Sequence, residues 1–144
     1  MTQIDDRKPV AGSQPLRVMF VENNELILEV FLELARLACP RWEVCAARGH
    51  EAGLALARQF IPHVICSSIG QAPKPGLSFA RAIRRDERLK HAFLIAITGW
   101  QDAGTAMEVD AAGFDVCLTK PVGYQLYICH INAFALARAL SSWC

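Results

Sequence analysis

From residue 16 onward, short apolar runs alternate with longer stretches in which apolar residues return every three or four positions. Residues 16–21 are apolar apart from Arg17 and end in the polar Glu22, Asn23 and Asn24. Such a run suits a buried strand, and the polar residues behind it suit a helix N-cap. Residues 25–38 carry a helical period. Ile27, Val30, Phe31, Leu34 and Ala38 mark one face, and Leu28, Leu32 and Ala35 widen it. Pro40 stops that helix. The alternation then repeats. Strands are expected over 42–47, 63–67, 93–98 and 115–118, and helices over 50–59, 78–86, 104–112 and 123–140. In the second helix Ala52, Leu56 and Phe60 form the apolar side. Gly113 is a natural C-cap for the fourth. Gly70, Pro73, Pro75 and Gly76 mark a loop before the third helix.

Five strands alternating with five helices predict an α/β fold: a doubly wound, parallel five-stranded sheet with right-handed crossovers. A flavodoxin-like (βα)5 arrangement with strand order 2-1-3-4-5 is the expected topology. Residues 1–15 hold Pro9, Gly12 and Pro15 without an apolar period. They are expected to be a flexible leader, with one domain over 16–144.

The chain has 144 residues and a formal net charge of +1, so it offers no strong electrostatic footprint for nucleic acid or an anionic membrane. Its apolar runs fall short of the roughly 20 residues that span a bilayer. The polar, acidic start is unlike a secretory signal, which points to the cytoplasm. Of six cysteines, none form a CxxC or a Cys/His metal spacing. Cys45, Cys66 and Cys117 lie in strand-like runs and are expected to be buried, reduced thiols; Cys144 is the candidate for redox chemistry. His50, His63, His91 and His130 show no ligand spacing, so no metal site is expected. Arg81, Arg84, Arg85, Arg88 and Lys90 suggest a solvated helix face.

Several spaced motifs, taken together, carry a resemblance. They are 18–24 (VMFVENN), 47–52 (ARGHEA), 62–70 (PHVICSSIG), 97–99 (ITG), 112–115 (AGFD) and 118–121 (LTKP). In this order the chain resembles a response-regulator receiver domain of the CheY-like family, over about residues 16–139. The resemblance implies a pocket at the strand ends. There, three carboxylates bind Mg²⁺, one of them accepts a phosphoryl group, and a Thr or Ser and a lysine hold the product. Here Glu22 keeps the first acid, Asn23 stands for the second and Ser68 for the acceptor aspartate, while Thr98 and Lys120 remain. One carboxylate in place of three argues against Mg²⁺, and no cofactor is expected. A serine hydroxyl is a poor nucleophile without a base beside it, and no histidine is evidently placed to serve. Glu22 and Lys120 are expected to pair, with Asn23, Ser68 and Thr98 filling the remaining hydrogen bonds. The aromatic switch residue of such domains falls at Cys117, too small for that role.

The expected function is therefore that of a non-phosphorylatable receiver-like domain in two-component or phosphorelay signalling. It would act by protein contact and not as an enzyme. The last helix is apolar nearly all round. Tyr124, Tyr127, Ile131 and Phe134 fit one face, and Leu126, Cys129, Ala133 and Leu140 another. Candidate interface residues are Trp100, Leu126, Tyr127, Cys129, Ala133 and Leu140. The expected partner is a signalling protein or a second copy, through the face made by the fourth helix, fifth strand and fifth helix; neither nucleic acid nor membrane is expected. Two alternatives stay open: a flavodoxin-like domain binding a small ligand at the pocket, or a receiver phosphorylated at an unusual residue such as Glu22.

Overall fold

The computed structural model describes residues 15–70, 74–99, 103–120 and 123–143. In chain order the elements are β1 Arg17–Val21, α1 Glu25–Ala38, β2 Glu43–Ala47, α2 His50–Phe60 and β3 Val64–Ile69, then α3 Lys74–Arg85, β4 Phe93–Thr98, α4 Ala103–Ala112, β5 Val116–Thr119 and α5 Tyr124–Trp143. The strands form one sheet in the order β2-β1-β3-β4-β5, with all four pairings parallel. This is the flavodoxin-like (βα)5 fold.

The sheet divides the interior into two apolar layers. Val18, Phe20, Val64, Cys66, Ile95, Ile97 and Leu118 face α1 and α5, meeting Leu28, Ala35, Tyr127, Ile128 and Ile131. Met19, Val21, Ile65, Ile69 and Leu94 face the other way, toward Ala57 of α2, Leu77, Phe79, Ala80 and Ile83 of α3, and Val109 and Ala112 of α4. Successive strand side chains point to opposite faces, and helices cover both, which is why the strands read as continuous apolar runs.

Three local features differ from the sequence expectation. β3 runs on to Ile69 and α3 begins at Lys74, inside the stretch expected to be loop. Pro75 sits in the first helical turn, where a missing N–H costs nothing. A Cβ at Gly76 would press on the end of the Ile69 side chain, which would have to shift. In α1 the buried residues are Leu28 and Ala35, with Phe31 and Leu32 packed beside them, whereas Ile27 and Val30 are exposed. The apolar arc of α1 is wider than the sheet can cover, and the sheet takes the widening set. In α2, Gly53 and Ala57 are buried and Ala52 is exposed.

Candidate functional site

Strand register assembles the strand-end pocket. Val21 pairs with Ser67 across β1 and β3, so the next residues, Glu22 and Ser68, leave the carboxyl edge side by side. Ser68 pairs with Ile97, and Thr98 pairs with Thr119, which places Lys120 next along that edge. The Lys120 N–H donates to the Thr98 carbonyl at 2.7 Å and fixes the turn out of β5. Glu22, Ser68 and Thr98 are buried and Lys120 is half-buried.

In this pocket Lys120 and Ser68 are committed to each other, and Glu22 through one oxygen to the backbone. Lys120 Nζ donates to Ser68 Oγ at 3.0 Å. Glu22 does not pair with Lys120 as expected; its Oε2 accepts the Asn24 N–H at 2.8 Å instead. Asn24 in turn caps α1, its Oδ1 accepting from the Ile27 N–H at 3.1 Å. The carboxylate is thus drawn into the helix start, where the orphan N–H groups and the helix dipole favour it. Its other oxygen, Oε1, is buried without a hydrogen-bond partner. Asn23 is exposed, and its Oδ1 lies over Gly49, so it does not complete the pocket network. Gly49 takes φ +95°, a left-handed conformation that suits glycine.

One pocket contact falls outside the sequence expectation. His50 Nε2 lies 3.0 Å from Ser67 Oγ, and its ring lies 5.4 Å from that of Phe79. Burial lowers the His50 pKa, opposed by the Ser68 backbone and by the Glu22 carboxylate. A histidine therefore does stand beside a serine, but beside Ser67, which is fully buried on the α2–α3 side of β3. The sequence signal was a serine at a buried strand position, which requires a hydrogen-bond partner. What it lacked was any indication that the partner lay 17 residues upstream.

Arg84 is a second residue placed differently from expectation. It is no solvated helix charge. Its guanidinium donates to the carbonyls of Gly113, Lys90 and Ala92 and to Asp115 Oδ2, at 2.6–2.9 Å. Leu77, Ala80 and Arg84 lie on one row of α3 at helical spacing, so the row that buries Leu77 and Ala80 also carries Arg84 inward. An open depression of about 570 Å³ lies here, bordered by Lys90, Phe93, Asp110 and Phe134. It is at the end of the sheet opposite Ser68.

Cys117 is exposed, not buried, on the edge strand β5; Cys66 is buried and Cys45 half-buried. Burial pushes the Cys45 thiol up to about 12, and partial desolvation by its neighbours raises that of the otherwise exposed Cys117. Among the described residues no group of three His, Cys, Asp or Glu side chains is arranged to hold a metal ion.

Of the expected interface residues, Tyr127 is fully buried. It packs on Phe20 and Phe31 with ring centroids 5.9 and 5.2 Å apart, and its hydroxyl has no hydrogen-bond partner. It is a core residue because it belongs to the face of α5 that meets the sheet. Leu126, Cys129 and Ala133 are exposed. Trp100 and the side chain of Leu140 lie outside the described residues, as do residues 1–14 of the expected leader. No described helix is long and apolar enough to cross a membrane.

No family model matches the chain. The polar-differentiation response regulator DivK of Brucella anthropi is 28% identical over 120 residues, covering 83% of this chain and 96% of its own length. DivK of Brucella ovis is 28% identical over 117 residues, covering 81% and 94%. Among solved structures, the chemotaxis response regulator CheY4 of Vibrio cholerae matches with a TM-score of 0.75 at 21% identity, over 84% of this chain and 99% of its own. These likenesses support a CheY-like response-regulator receiver domain. The receiver domain of a DNA-binding response regulator from Colwellia psychrerythraea has the same fold, with a TM-score of 0.76 at 17% identity over 83% and 98%. Receiver domains of this kind serve two-component signalling.

Proposed function

We propose that this receiver domain signals by protein contact and takes no phosphoryl group at Ser68. The observation that carries the reading is the Lys120–Ser68 contact. In the family's pocket the corresponding lysine faces a carboxylate that is both metal ligand and acceptor. Here the ammonium already occupies the hydroxyl that stands in the acceptor's place. His50, the nearest candidate base, is spent on Ser67, and a neutral hydroxyl without a base is a weak nucleophile.

Mg²⁺ does not suit this donor set. It prefers hard, anionic oxygens in octahedral array. Glu22 supplies one carboxylate with one oxygen engaged at Asn24; Asn23 is turned out over Gly49, and Ser68 sits against a cation. The domain is therefore expected to hold one conformation without metal, and to act as a signalling module and not as an enzyme. The Glu22 alternative is disfavoured because the free oxygen of that carboxylate is buried. The small-ligand alternative is disfavoured because Lys120 and Ser68, which would line that site, are committed to each other.

The test is to incubate the full chain with acetyl phosphate and Mg²⁺ and measure intact mass. No adduct is expected. A phosphate adduct at Ser68 or Glu22 would overturn the reading. The double variant Asn23→Asp, Ser68→Asp restores the missing carboxylates and is expected to gain a Mg²⁺-dependent acyl phosphate adduct that base and hydroxylamine remove.

A further inference from the structure

The exposed large apolar side chains are not scattered. Leu26, Ile27, Val30 and Leu37 lie on α1, Leu126 and Leu136 on α5, and Met107 alone on α4. Leu26, Val30 and Leu37 fall within one narrow arc of α1, at spacings of four and seven residues. On α5, Leu126, Cys129, Ala133 and Leu136 do the same on the side away from Tyr127 and Ile131. The two helices are neighbours on one layer of the sheet, joined by Phe31 against Tyr127 and by Cys39 against Asn132. Their outer arcs therefore make one continuous surface.

We propose that a second copy of this chain covers this surface, in a two-fold arrangement that sets α1 of each protomer against α5 of the other. The proposal deepens the protein-contact reading above by naming the partner and the face. Two features point to a like partner. The first is area. The five large side chains of the two arcs, Leu26, Val30, Leu37, Leu126 and Leu136, expose several hundred square ångströms. That is at the top of the range of about 300–600 Å² for the largest patch on an ordinary monomer, and it approaches the ~800 Å² per partner of a standard interface. The second is shape. The α1 arc presents large branched residues, whereas the α5 arc is large only at its ends and small at Cys129 and Ala133. Ridges of one helix then meet a groove of the other. Only an arrangement that pairs unlike helices sets that ridge against that groove, and a two-fold axis does so twice.

Sedimentation equilibrium of the full chain over a wide concentration range tests the proposal. A reversible dimer is expected. Leu136→Glu and Leu37→Glu, at positions 62% and 72% exposed, should each weaken it by about tenfold or more with unchanged circular dichroism, because a carboxylate is costly inside an apolar interface. Met107→Glu, on α4, should leave it intact. A chain that stays monomeric at every concentration would overturn the proposal. So would a dimer that Met107→Glu breaks and Leu136→Glu spares. The phosphodonor experiment is separate: a phosphate adduct on a chain that dimerises through α1 and α5 would sink the functional reading and leave this one standing.

Discussion

The carboxyl edge of the sheet and the outer face of α1 and α5 use their side chains in opposite ways. At the edge, polar groups are buried and answer one another: Lys120 holds Ser68, His50 holds Ser67 and Glu22 holds the start of α1. On the helical face, apolar groups stand in solvent and answer nothing within the chain: Leu26 is 70% exposed and Leu37 72%. Buried polar groups that satisfy each other stabilise and fix a conformation. Exposed apolar groups gain only when something covers them. On the reading proposed above, the domain acts through its surface and its pocket serves structure.

That contrast predicts a graded set of outcomes. The largest concerns α5, which carries both kinds of residue. Tyr127→Ala empties a fully buried aromatic site and should cost about 3–5 kcal/mol. Leu136→Ala, measured on the monomer at high dilution, should fall within about 0.5 kcal/mol of the parent. Urea unfolding of both variants checks this, and equal costs would erase the distinction between the two faces.

Next is Arg84, whose guanidinium ties α3 to three backbone carbonyls and Asp115. Arg84→Met keeps the apolar stem and strands those acceptors, at an expected cost of about 2–4 kcal/mol. A loss no larger than that of Arg81→Met, an exposed neighbour, would refute the clasp.

A smaller effect follows from pH. His63 Nδ1 accepts the Arg17 N–H at 2.9 Å. Burial, with the charges of Arg17 and Arg138, lowers its pKa to about 4. Protonation would remove that acceptor and place a cation beside Arg17. Because the folded value lies below the ordinary 6.5, the contribution is fully present above about pH 6.5. It is lost as pH falls toward 4. After discounting for partial exposure it should amount to about 1–2 kcal/mol. The pH dependence of the urea midpoint should flatten across that window in His63→Asn.

The smallest effect is at the pocket. Ser68→Ala removes the acceptor of Lys120 and should cost about 1 kcal/mol by the same unfolding assay. A much larger loss would mean that the pocket carries more of the fold than its few hydrogen bonds suggest.

The sequence by itself determined the element order and the sheet. β4 and α1 match their expected bounds, because a strand covered on both faces and a helix between Asn24 and Pro40 have local signatures. The pocket residues Glu22, Ser68, Thr98 and Lys120 were named through the resemblance and not from the pattern alone, and the strand register gathers them at one edge of the sheet. What only tertiary structure decided was which partner each group takes. Glu22 turned to the Asn24 N–H at the start of α1, while the Lys120 ammonium took Ser68. His50 found Ser67 across a layer that no local pattern describes. The same holds for the helices: α1 and α5 are apolar over more of their circumference than one sheet can bury. Period alone therefore could not say that Tyr127 and Leu28 go in while Val30 and Leu136 stay out. Periodicity reports how much apolar surface a helix has; the packing of one helix beside another on a twisted sheet decides which part of it is left over.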